Sequence, residues 1–195
     1  MSQEIEIEFK NILTKEEFIQ LKTHFTLHNS DFSLQENHYF DTPLFSLKNH
    51  GAALRIRQKQ DNYVLTLKEP ADIGLLETHQ FLSNEEAKYM MKTGLILDGP
   101  VKDQLVSLGI APDQLTYFGS LVTDRAEKKV EEGLIVLDHS RYLSVEDYEV
   151  EFEVKEEEAG KQAFLKILKE LSIPIRPTKN KIRRFYDQKY HSEKS

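Results

Sequence analysis

Two stretches of this chain carry a carboxylate on every second residue. Glu4, Glu6 and Glu8 form one row, which Lys10 continues, and Glu149, Glu151 and Glu153 form the other. Two further stretches are basic: Arg55, Arg57 and Lys59 alternate with apolar residues, and Lys68 closes an alternating run. A spacing of two places each row on one face of a strand, with same-face neighbours about 6.6–7 Å apart. Three carboxylates in such a row repel one another unless cations lie among them. Carboxylate oxygens bind hard divalent ions such as Mg²⁺ and Mn²⁺. Arginine and lysine bind phosphate oxygens, arginine through two parallel hydrogen bonds. Together they suit a polyanion that carries metal: a nucleotide, a triphosphate or a polyphosphate. The metal would polarise a phosphoryl oxygen, the cations would stabilise the departing phosphates, and a carboxylate would orient or deprotonate water. Any one of these strands is more simply read as a solvated face. Acidic strands could also pair across with basic ones. Acids in triplicate on two strands, with bases in rows on others, point instead to a barrel with a charged lumen.

The elements that must position these residues follow from pattern and punctuation. Ile5, Ile7 and Phe9 oppose the first acidic row, which makes a strand. Thr14 and Glu17 form a capping box before a helix carrying Phe18, Leu21 and Phe25. Residues 36–41 make a short strand ended by Asp41-Thr42-Pro43. Residues 53–59 and 63–68 make a hairpin with Asp61-Asn62 as its turn, and 75–82 make a further strand carrying Glu77. Ser83 opens a helix that Gly94 closes, and a shorter helix runs from Pro100 to Leu108. Strands over 117–129, 134–140 and 142–155 are joined by turns at Glu132-Gly133 and Ser140-Arg141. In the last of them Tyr148, Val150, Phe152 and Val154 oppose the acids. A helix over 156–172 has its apolar stripe at Phe164, Leu165, Ile167, Leu168 and Leu171, and a basic helical segment follows at 179–186. The fold class is α+β and mainly β: a closed eight-stranded antiparallel barrel with a polar, charged lumen and helices packed outside. Eight strands are enough to enclose a ligand.

These residues resemble the CYTH superfamily, the triphosphate tunnel metalloenzymes. Glu6-Ile7-Glu8-Phe9-Lys10 matches its ExExK signature. Tyr39-Phe40-Asp41-Thr42, Arg55-x-Arg57, Lys68, Glu77, Arg125, Asp138, Glu149-x-Glu151-x-Glu153 and Lys179-x-Lys181 follow in the family's order. The match runs from Glu4 to about Tyr186 and is strongest to the bacterial single-domain triphosphatase branch. The resemblance implies metal-dependent hydrolysis of a triphosphate, inorganic or nucleoside, in a barrel tunnel with Mg²⁺ or Mn²⁺ as cofactor. It implies Glu6, Glu8, Glu151 and Glu153 as metal ligands, and these with Lys10 as the catalytic set. Lys10, Arg55, Arg57, Lys68 and Arg125 would hold phosphates, joined by Lys181 or Lys179. Glu77 and Asp138 would be lumen acids that orient the basic residues or contact a second metal, and Glu4 and Glu149 extend the acidic rows. The family's Ser-Lys-Tyr element is replaced by Thr178-Lys179-Asn180-Lys181, so both lysines stay candidates. The chain has no tryptophan, which weakens a thiamine triphosphate reading.

Composition excludes other classes. The 195 residues contain no cysteine, so there is no disulfide framework, thiolate metal site or cysteine nucleophile. No apolar run approaches the roughly 20 residues of a membrane helix, and no secretory signal is visible at the start. These features lead us to expect a cytoplasmic protein without a membrane partner. The net charge of −7 argues against nucleic acid as a partner. A small-molecule triphosphate is the expected partner, and monomer and homodimer remain open. The seven histidines show no ligand spacing. Residues 1–190 read as one domain and 191–195 as a frayed tail. Two rival functions stand beside hydrolysis: an adenylyl cyclase of the same superfamily, and a noncatalytic module that binds polyphosphate or a nucleotide.

Overall fold

A computed structural model of the chain describes residues 2–192. Eight strands occur in the order β1 (Gln3–Leu13), β2 (Ser33–Asp41), β3 (Ala53–Lys59), β4 (Asn62–Pro70), β5 (Leu75–Leu82), β6 (Thr116–Lys129), β7 (Gly133–Tyr142) and β8 (Val145–Val154). The helices are α1 (Lys15–His24), α2 (Ser46–Asn49), α3 (Asn84–Thr93), α4 (Pro100–Ser107), α5 (Glu157–Glu170) and α6 (Lys181–Ser192). The strands close into an antiparallel barrel in the order β1-β5-β4-β3-β2-β6-β7-β8. Closure removes the unpaired edges that would otherwise template aggregation.

Two compact units divide the chain: the stretch ending at Ile5 with Gln35–Leu121, and Glu6–Leu34 with the chain from Val122 onward. In the first, Leu54, Ile56, Leu65 and Leu67 pack on Ala87 and Met90 of α3 and Val101 and Leu105 of α4. In the second, Ile135, Leu137, Val150 and Phe152 pack on Phe18 and Leu21 of α1 and Phe164 and Leu168 of α5. Each fully buried side chain of this size contributes about 1.5–3 kcal/mol. In both units the apolar strand face turns to the helices. Alternation therefore commits the charged residues to the opposite face.

Local chemistry sets the boundaries. Thr14 and Glu17 exchange both capping-box hydrogen bonds at the start of α1, and Ser83 and Glu86 do the same for α3. Gly94 ends α3 at φ 77°, with its α-carbon against the Leu115 backbone, so no other residue fits there without strain.

Several boundaries and one helix differ from the sequence reading. The β3–β4 loop is Gln60-Asp61, because Lys59 pairs with Asn62. The β7–β8 turn lies at Leu143-Ser144, not Ser140-Arg141, and both its residues have positive φ. Neither carries the Asn-Gly signature of such a turn. The short helix α2 has no sequence signature, being held by Asp41: its carboxylate accepts from the backbone N–H groups of Thr42, Leu47 and Lys48. The basic segment becomes helical only at Lys181, because Asn180 caps α6 by accepting from the Arg183 N–H. Of the expected tail, residues 191–192 belong to α6, and 193–195 lie outside the described residues.

Candidate functional site

In the second unit β6, β7, β8 and the start of α6 bring together a buried charged cluster. The Arg125 guanidinium donates through Nε and Nη2 to Asp138, at 2.8 and 2.6 Å, and through Nη2 to Glu151 at 2.7 Å. The register explains the first contact, since Arg125 stands opposite Asp138 across the β6–β7 ladder. The Lys181 ammonium lies 2.8 Å from Asp138 and 2.5 Å from both Glu149 and Glu151. Arg184, one helical turn on, holds Asp147 at 2.9 Å and Glu149 at 2.5 Å.

Burial alone would raise all three carboxyls of this cluster. At Asp138, Arg125 and then Lys181 outweigh it and keep the group below the usual range. At Glu151, Lys181 and Arg125 hold the carboxyl well below that range. At Glu149 burial prevails over Lys181, and the carboxyl is pushed up to about 7. Burial would likewise lower Arg125 and Lys181, but the surrounding acids raise both well above their ordinary values.

The β1–β8 ladder adds a second feature. Glu8 stands directly opposite Glu153, and Lys10 directly opposite Glu151. Directly opposed side chains have β-carbons about 4.5–5.5 Å apart, and like charges there repel. Lys10 makes an ion pair with Glu8. Burial would lower the Lys10 ammonium, but Glu8, Glu151 and Glu149 together raise it.

In the first unit the charged face is basic and ordered in rungs. Arg55 lies opposite Thr66, which lies opposite His79; Lys68 lies opposite Glu77. Lys68 and Glu77 form an ion pair. The Arg57 Nε donates to Asn37 Oδ1 at 3.1 Å. The Arg55 Nε is buried and has no hydrogen-bond partner among the described residues. His79 shares a hydrogen bond between Nδ1 and the Thr66 hydroxyl, 3.0 Å away, and faces Glu4 and Glu77 with Nε2 at 3.2 and 3.4 Å.

The fit to a divalent cation differs between the acidic groups. Among the described residues, Asp138, Glu149 and Glu151 bring ligand atoms within 4.8 Å of one another, as do Glu4, Glu77 and His79. The first triad already surrounds the Lys181 ammonium, which supplies the positive charge that a metal would bring. Glu8 and Glu153 present hard oxygen donors of like charge directly opposite each other across the β1–β8 ladder. Of the four ligands implied by the resemblance, Glu151 belongs to the first triad, and Glu6, Glu8 and Glu153 belong to neither.

The two candidate lysines separate cleanly. Lys181 is buried in the acidic cluster, whereas the Lys179 side chain is 63% exposed and pairs with Asp187 at 2.6 Å. Sequence reasoning did not single out Asp147 or Thr66, and it read Asp41 as a turn and motif residue without its role in holding α2. Arg184 entered it only as part of the basic segment 179–186. His139 lies outside the cluster, stacked on Tyr148 and bonded to Glu146 at 2.7 Å.

A closed eight-stranded antiparallel barrel with these acidic and basic strand faces defines the class, and the chain belongs to the CYTH domain family, whose profile matches residues 4–186. Among individual proteins, it is 59% identical over 192 residues to the Bacillus subtilis (strain 168) protein named "Putative triphosphatase YjbK", covering 98% of this chain and all of the relative. A crystal structure from Bacillus halodurans, described as a "putative adenylate cyclase", superposes with a TM-score of 0.92 at 47% identity, over 95% of this chain and 100% of that one. The HpAC1 protein of Hippeastrum, reported to have a dominant triphosphatase activity, shares the fold at a TM-score of 0.75 and 24% identity, over 94% and 96% of the two chains. No helix among the described residues is long and apolar enough to cross a membrane.

Proposed function

We propose that this protein hydrolyses a triphosphate, inorganic or nucleoside, with a divalent metal, and that residues 1–190 act as one domain. The observation that carries this reading is the rung of like charge between Glu8 and Glu153, one step from Lys10 and Glu151 on the same face. A half-buried rung of that kind is stabilised by a cation and destabilised without one. Glu8 and Glu153 are the primary candidates to hold it, with Glu6 and Glu151 beside them. When bound there, Mg²⁺ or Mn²⁺ would polarise the phosphoryl oxygen and lower the pKa of a coordinated water.

The chain's own groups supply the rest. Arg55 has a buried N–H in need of an acceptor, and a phosphate oxygen would satisfy it. Arg57 and Lys68 lie on the same face and would neutralise further phosphate oxygens. In the second unit, Arg125 and Lys181 fix Glu151 in its ionised form, and Lys10 stands beside it to meet negative charge as it develops. Water adds to the terminal phosphorus, the bond from that phosphorus to the bridging oxygen breaks, and the shorter phosphate chain leaves with the electron pair. The names of the relatives keep cyclisation of ATP as a second reading. Phosphorus NMR of ATP turnover separates the two. Hydrolysis predicts orthophosphate and ADP; pyrophosphate with a cyclic nucleotide would replace the proposal.

A further inference from the structure

The rungs of β3, β4 and β5 change character along the first unit's charged face. Glu77 opposes Lys68; next come His79, Thr66 and Arg55; next come Phe81, Val64 and Arg57. Three successive odd positions of β5 thus carry a carboxylate, an imidazole and a phenyl ring. The opposite face of the same strands is spent on the core, where Leu65, Leu67 and Leu82 are buried. Phe81 is 84% exposed, the most exposed large apolar side chain among the described residues. A solitary exposed phenyl ring on a surface needs no explanation. This one shares its rung with an arginine and adjoins the rung of Arg55, whose buried Nε has no partner among the described residues. The face therefore offers cations along part of its length and a flat apolar surface at one end. Neighbouring strands lie about 4.8 Å apart, so Phe81 stands about 10 Å from Arg57 across β4.

We infer that Phe81 is the platform on which the base of a nucleoside triphosphate stacks while Arg57 and Arg55 hold its phosphates. The inference rests on the triphosphate reading above and narrows its substrate class from inorganic triphosphate to nucleoside triphosphate. Stacking uses the π-face that every base has, so it selects for the presence of a base more than for its identity. Val64 stands directly opposite Phe81 on the same rung.

The test is the ratio of kcat/KM for ATP to that for inorganic triphosphate, measured with Mn²⁺ for the wild type, Phe81→Ala and Phe81→Trp. Val106→Ala, an exposed apolar site on α4, serves as control. Phe81→Ala is expected to lower the ratio about tenfold through a higher KM for ATP, as loss of one base–aromatic stack predicts. Phe81→Trp and Val106→Ala are expected to preserve it. A ratio unchanged in Phe81→Ala, or a change confined to oligomeric state, overturns the inference. Calorimetric titration of ATP and of inorganic triphosphate separates this from failure of the triphosphatase reading. If the wild type turns over neither compound, weaker ATP binding in Phe81→Ala still supports the platform, and equal ATP affinities reject it.

Discussion

Lys179 and Lys181 are two residues apart in sequence and opposite in environment. Asn180 caps the helix between them, so the first stays in solvent and the second turns inward among three carboxylates. Removing one partner of a buried ionic cluster leaves uncompensated charge, at a cost of about 3–5 kcal/mol. Lys181→Met is therefore expected to destabilise the protein by that amount in urea unfolding, and Lys179→Ala by less than about 0.5 kcal/mol. Equal effects would contradict the assignment. The composition of the cluster was legible in the sequence, Glu149 and Glu151 from the alternation of their strand and Arg125 and Asp138 from the family resemblance. The choice of lysine was not, since it depends on a cap that shifts the helix start by two residues. Phe81 was equally hidden: a phenylalanine in an alternating strand reads as core until its parity is set by Lys68 opposite Glu77.

At the scale of elements, capping and close approach decide which helix packs where. Glu17 closes the capping box of α1 and also takes two hydrogen bonds from Arg176, at 2.7 and 2.8 Å. Arg176, with a smaller contribution from Thr14, holds the Glu17 carboxyl below its ordinary value despite partial burial. A carboxyl with a lowered native pKa binds fewer protons folded than unfolded at intermediate pH. Its contribution is thus complete above the ordinary carboxylate pKa near 4.3 and is lost as pH falls through the native value. Glu17→Gln should therefore destabilise the protein by about 1 kcal/mol at pH 7 and progressively less below pH 4. Thermal unfolding across pH 3–7 measures this, and a difference independent of pH would refute it. Gly160 lets α5 lie against β8, because a β-carbon there would overlap the Val154 side chain. Gly160→Ala should destabilise by about 1–3 kcal/mol although alanine favours helix. Val154→Ala in the same protein should recover part of that loss in a double-mutant cycle. The sequence showed α1 through its capping box, α3 through Ser83 and Gly94, and α5 through its stripe. It did not show α2 or the Leu143-Ser144 turn, which are set by Asp41 and by strand register, not by local residue preference.

At the scale of the molecule, strict alternation makes the fold readable. Most strands give one face to the apolar cores and the other to polar or charged groups, so a period of two in the sequence predicts both the barrel and the sorting of acids from bases. Each unit has its own apolar core, and β1 and β6 contribute residues to both units. Such a molecule is expected to lose stability when carboxylates stand opposed and to regain it with metal. Millimolar Mn²⁺ with inorganic triphosphate should raise Tm by several degrees through preferential binding to the folded state. Glu153→Gln relieves the opposed charge and should raise the metal-free Tm while reducing that ligand-induced rise. No shift in the wild type would count against a metal-bound triphosphate.

We propose that Glu8 and Glu153 hold the catalytic metal. The most direct measurement is orthophosphate release from inorganic triphosphate and from ATP, titrated with Mg²⁺ and with Mn²⁺, for the wild type, Glu8→Gln and Glu153→Gln. The account predicts release that requires metal, and a loss of at least about 100-fold in each variant, with circular dichroism showing both folded. Full activity in either variant, or release that is unchanged when divalent ions are removed with EDTA, would contradict it.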